Sequence, residues 1–152
     1  MKRRFAAALC LCLFTATAAG AMEHNHGMST NAPVDERTEL KLPEKMKVMQ
    51  KRMMRQHIAT VSEITAALAS KDLKKAADLS RGRLGWSVAE EKKCSNVSEL
   101  SGEPDFLSFG MALHKQADAL ADAADAGDRD KALKELSQLI SKCNACHETF
   151  RH

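Results

Sequence analysis

The stretch Leu136-Ser137-Gln138-Leu139-Ile140-Ser141-Lys142-Cys143-Asn144-Ala145-Cys146-His147 lies at the end of a chain of 152 residues. Leu136, Leu139, Ile140 and Cys143 recur at spacings of three and four, the period of one helix face. Cys143-x-x-Cys146-His147 is the attachment signature of c-type haem. Two cysteines three apart lie on neighbouring parts of one helical face, so their sulfurs can bond the two vinyl groups of one porphyrin. His147, four residues after Cys143, points to the same side and reaches the iron as proximal ligand. The spacing therefore predicts one covalent haem c on the buried face of the last helix, inside whatever that helix packs against.

Other readings of the cysteines account for less. A zinc site needs a fourth ligand or a second knuckle, and no second C-x-x-C exists. A thioredoxin-like redox pair belongs beside a βαβ pattern, and no strand pattern stands out. A disulfide between cysteines one helical turn apart strains the bridge geometry.

The opposite end of the chain sets the compartment. Lys2, Arg3 and Arg4 precede an apolar stretch from Phe5 to Phe14, and small residues follow up to Ala19-Gly20-Ala21. This reads as a secretory signal over residues 1–21 with cleavage before Met22, the apolar run being too short to span a bilayer. Lipidation at Cys10 is the competing reading. Export agrees with the haem motif, because haem is attached covalently outside the cytoplasmic membrane, and it predicts a periplasmic protein. Cleavage removes three of 23 basic residues and none of 20 acidic ones, leaving a mature chain of 20 against 20. A formally neutral chain has no net field to recruit nucleic acid, and no stable membrane insertion is expected. Five Phe, one Trp and no Tyr make a core poor in aromatics, which a buried porphyrin would supplement.

Residues 22–41 are polar and without pattern, and read as a flexible leader. Within it, His24 would be the third mature residue, a position from which the amine, two amides and an imidazole can hold Cu(II) in a square plane. Residues 42–152 read as one helical bundle. Pro43 suits a first turn, and from Glu44 to about Ser70 no Gly or Pro interrupts good helix formers. A wheel centred on Val61 places Met54, His57, Ile58, Ile64 and Leu68 on the inward side, Met53 at its edge and Met49 pointing away. Asp72 caps a second helix carrying Leu73, Ala76, Ala77 and Leu79, which Gly82 or Gly85 ends. Ser87 to Gly102 is polar and reads as a loop with a helical turn. Pro104 opens a third helix with Phe106, Phe109, Leu113, Ala117, Leu120 and Ala124, and Gly127 ends it. Asp128 caps the last helix, whose stripe runs through Ala132, Leu133, Leu136, Leu139 and Ile140 to Cys143 and His147. The expected fold is all-α, an antiparallel four-helix bundle with short connections.

A haem motif on the last helix of such a bundle is distinctive. Cys143-Asn144-Ala145-Cys146-His147-Glu148-Thr149-Phe150-Arg151 resembles the ending of cytochrome c-prime and its relatives. The resemblance implies that Arg151, four residues past His147, lies near the haem propionates. It also implies a division by what faces the other side of the iron. High-spin members leave that side open to small gases such as nitric oxide or carbon monoxide. Low-spin members place a first-helix methionine there. The segment Lys51-Arg52-Met53-Met54-Arg55-Gln56 looks like the stretch that carries this methionine. Met54 is accordingly the candidate sixth ligand and His57 the alternative, with core filling as the plain reading of both.

Three further residues stay open. Trp86 is either a packing anchor or a cover for the haem edge. His114 lies near the inner face of the third helix, either close to the haem or hydrogen-bonded elsewhere. Cys94 is either a free thiol or a bridge between two subunits. The run Ala117 to Ala126 suggests close helix packing, including the contact of a homodimer. The function these features imply is transfer of one electron to and from redox partner proteins, with no enzymatic transformation at a side chain. A five-coordinate gas-binding haem protein is the alternative. An exported copper-binding bundle using His24, His26 and the methionines is a third reading.

Overall fold

The computed structural model describes residues 34–152. The secretory signal, the first part of the leader, and His24 and His26 lie outside these residues.

Pro43 precedes α1 (Glu44–Ala69), which turns at Ser70–Asp72 into α2 (Leu73–Leu84). Asp72 caps α2 by accepting from the Lys75 amide. Ser87 then opens α3 (Val88–Ser101), which the polar 87–102 segment had not advertised. α4 (Asp105–Asp125) follows Pro104, and Asp128 caps α5 (Arg129–Thr149) by accepting from the Lys131 amide. Among the described residues there are thus five helices rather than four. The expected all-α bundle stands, with α1, α2, α4 and α5 sharing its main core and α3 added against α4.

The added helix was illegible for a physical reason. α3 buries only Cys94 and Val97, so it has no apolar stripe to read. Its ends are nonetheless well specified. The Ser87 hydroxyl accepts from the Glu90 amide at 3.2 Å, the S-x-x-E pattern of a capping box. Gly102 closes it at φ +76°, the left-handed conformation of a helix C-terminus.

The main core joins α1, α2, α4 and α5 through Ile64, Leu68, Leu84, Leu120 and Leu139. Small residues let these helices approach closely. Ala117, Ala121, Ala123 and Ala124 are all buried within the chain, so these alanines serve its internal packing. Ser80 donates to the Ala117 carbonyl at 2.8 Å, tying α2 to α4. Arg129 donates to the Leu68 carbonyl at 2.9 Å, tying the start of α5 to the end of α1. The apolar faces of α1 and α5 are narrower than the wheel implied. Ile58, Leu133 and Ile140 are 66%, 37% and 42% exposed.

A second cluster forms where the leader was expected to be loose. Thr38–Glu39 (β1) pairs in parallel with Phe150–Arg151 (β2), Thr38 opposite Phe150. Leu40 donates to the Arg151 carbonyl at 2.8 Å. Leu40 and Leu42 are buried with Val97, Phe106 and Phe150. Alternate residues of an extended segment point to one side, so Leu40 and Leu42 both reach the core while Lys41 faces out. The clasp holds the chain's last turn, directly beyond His147.

Candidate haem site

The helices leave a cleft between the first half of α1, α3, the start of α4 and the end of α5. Cys143, Cys146 and His147 line it from α5. The two cysteines are half-buried, and His147 is more exposed. Gln50, Met53, Met54 and His57 line it from α1, and Phe106, Phe109 and Leu113 from α4. The motif and the first-helix candidates therefore share one space. Core-facing α1 residues up to Val61 line the cleft, and Ile64 and Leu68 behind them are fully buried.

The chemistry of these walls fits a covalently held porphyrin. The cleft's lining is mainly apolar with a few polar groups among the side chains, as in small-molecule sites. Two thiols and an imidazole sit together at one wall, as thioether attachment and axial ligation require. Burial raises the Cys143 thiol, and burial followed by the neighbouring Cys143 and Cys94 pushes the Cys146 thiol up to about 11. Both are protonated in the free chain at neutral pH.

His57 is half-buried in the α1 wall. Desolvation first, then His114, pushes its pKa down to about 4, so its ring is neutral. Its Nδ1 is buried without a hydrogen-bond partner among the described residues. His57 meets His114 edge to face, with ring centres 5.8 Å apart. His114 is itself buried, and its Nδ1 donates to the Leu84 carbonyl at 2.7 Å. It is thus a hydrogen-bonded histidine that also borders the cleft. Trp86 packs on His114 at 6.0 Å and is absent from the cleft lining, which makes it a packing anchor.

Cys94 is the residue of the site that sequence reasoning left without a role. Among the described residues it is a free, buried thiol in the cleft wall. Burial, then Glu90, pushes its pKa up to about 11. Gly110 of α4 faces it so closely that a Cβ there would stand 2.5 Å from the Cys94 sulfur. Gln50 was also missed. It is buried at 5% exposure one turn before Met54, and its place on the inward face was the available signal.

Arg151 lies outside the main cleft, in an adjoining groove that shares Cys146 and His147 with it. Its guanidinium faces Glu39 at 3.4 Å and Asp35 at 3.7 Å, and it donates to the Arg37 carbonyl at 3.2 Å. Arg37 in turn donates to the His147 carbonyl at 3.2 Å. The clasp thus grips the backbone of the candidate iron ligand. Its signal in the sequence was only the short Leu40–Leu42 alternation.

Fold and cleft together define a class, a helical bundle carrying a c-type attachment motif on its last helix. The family model described as Cytochrome C' matches residues 42–151, and the chain belongs to that family. Membership implies a c-type cytochrome with covalently bound haem c. Searches of curated proteins and of solved structures found no significant match. No described helix is long and apolar enough to cross a membrane.

Proposed function

We propose that the protein is an exported, periplasmic one-electron carrier holding a single haem c. Cys143 and Cys146 would attach the porphyrin, and His147 would ligate its iron. Met54 would take the sixth position. The observation that carries this reading is the composition of the α1 wall: Met53, Met54 and His57 share the cleft with the α5 motif. A distal wall kept open for gases has no need of such donors. The haem supplies a reversible ferrous–ferric couple. His147 and Met54 would hold the iron, and Phe106, Phe109 and Leu113 would keep water from it, with no substrate transformed at a side chain. A thioether ligand favours ferrous iron and so raises the potential.

The absorption spectrum of the reduced protein, with and without carbon monoxide, tests the reading. Low-spin bands that resist carbon monoxide are expected, and Met54→Ala should convert them to a high-spin, carbon-monoxide-binding form. A wild-type protein already high-spin and reactive with the gas would refute it. That outcome would favour a five-coordinate gas binder, a reading supported by the unpartnered His57 nitrogen beside the cleft.

A further inference from the structure

The exposed side of α1 carries a concentration of positive charge that the haem site does not use. Between residues 44 and 55 the helix has Lys45, Lys47, Lys51, Arg52 and Arg55 against Glu44 alone. Glu44 pairs with Lys47 at 3.1 Å. Among the described residues, Lys45, Lys51, Arg52 and Arg55 have no carboxylate within ion-pair distance. Lys47, Lys51 and Arg55 recur every fourth residue, so like charges stack along one stripe. That spacing weakens a helix through repulsion. Local folding gains nothing from it.

The stripe has a defined place. On the helical wheel it borders the face carrying Gln50, Met54 and His57, which line the cleft. It also reaches the end of α5. His152 lines the groove that also holds Cys146 and His147, and after burial the charge of Lys51, then His147 and Lys47, holds its imidazole below its ordinary pKa. Val48 and Ile58, 64% and 66% exposed, add apolar surface within the basic stripe. The mature chain has no net charge to explain the patch, and α4 carries four aspartates against one lysine. Charge is segregated between elements rather than accumulated.

We propose that Lys47, Lys51 and Arg55, flanked by Lys45 and Arg52, form the docking surface for the acidic face of a redox protein partner. The proposal rests on the electron-carrier reading and names the partner's chemistry. Docking there brings the partner against the α1 wall. One electron then passes between the iron and the partner's one-electron centre, one becoming oxidised as the other is reduced, with no proton or group transferred. A localised field steers encounter and fixes orientation even when net charge is zero.

The test uses the reduced haem-bound protein and two inorganic oxidants of opposite charge, hexacyanoferrate(III) and tris(1,10-phenanthroline)cobalt(III). Oxidation by the anion should slow as salt rises. The triple variant Lys47→Glu, Lys51→Glu, Arg55→Glu should slow it at low salt by on the order of tenfold or more, and should speed oxidation by the cation. The control variant Lys71→Glu, Lys75→Glu, Lys131→Glu makes the same change in net charge at the opposite end of α1, and should alter neither rate comparably. Unchanged haem spectra verify that both variants are folded. Equal effects of the two variants, or none from the first, overturn the patch while leaving the carrier reading intact. A high-spin, carbon-monoxide-binding wild type overturns the carrier reading itself.

Discussion

Replacing Gly110 by alanine should destabilise this protein, although alanine is the better helix former. Within a helix, alanine is worth about 0.5–1 kcal/mol over glycine. At this position, however, the new Cβ would stand 2.5 Å from the Cys94 sulfur and 3.2 Å from its Cβ. Cys94 is 5% exposed, so its side chain has little room to retreat. Forcing a methyl group into such packing costs about 1–3 kcal/mol. The net result is a loss of about 1 kcal/mol at mid-range, with bounds of roughly 0 and 2.5 kcal/mol once the propensity gain is subtracted. With Cys94→Ala in the background the sulfur is gone, the closest approach relaxes to the 3.2 Å contact, and the propensity term dominates. Gly110→Ala should then be neutral or stabilising. Urea denaturation of the haem-bound wild type, both single variants and the double variant measures all four corners of the cycle. If Gly110→Ala stabilises the wild type, or costs the same in both backgrounds, the packing argument for the α3–α4 wall is wrong.

Other expectations follow from single contacts. Ser87→Ala removes the side-chain acceptor at the start of α3 and should cost about 1 kcal/mol, read as a lower urea midpoint; Ser87→Asp should restore it. Cys146→Ser should leave a haem joined through one sulfur, and the pair Cys143→Ser, Cys146→Ser should leave none, as shown by mass and by haem staining after denaturation. His57 has a folded pKa of about 4, below its unfolded value of 6.5. The unfolded chain therefore binds more protons between these values, and stability falls as pH drops through that window. The loss should reach up to about 3 kcal/mol by pH 4, and His57→Phe should flatten that part of the curve; an unchanged slope would show that the ring is not desolvated.

Much of this molecule is legible locally. The spacing of Cys143, Cys146 and His147 states the cofactor chemistry because thioether bonds and axial ligation demand that order within one helical turn. Pro43, Asp72, Pro104, Gly127 and Asp128 mark helix ends by conformational preference or capping chemistry, and α1, α2, α4 and α5 begin where they indicate. The helix α3 escaped because it buries two side chains, too few to write a period. Its signal lay in Ser87, Glu90 and Gly102, at the ends rather than along the face. The clasp escaped because Leu40 and Leu42 make an alternation too short to distinguish from chance, and its partner strand lies more than a hundred residues away.

By itself the sequence pointed to haem attachment, the helical class and the starts of α1, α2, α4 and α5, since these depend on residues within a few positions of one another. Only the tertiary structure decided that Cys94 stands in the cleft wall against Gly110, that the leader's end grips the residues beyond His147, and that Ile58, Leu133 and Ile140 remain exposed. Those outcomes depend on how closely separate helices approach. That distance is set by the summed packing of alanines and leucines from four helices, a quantity no single window of sequence contains.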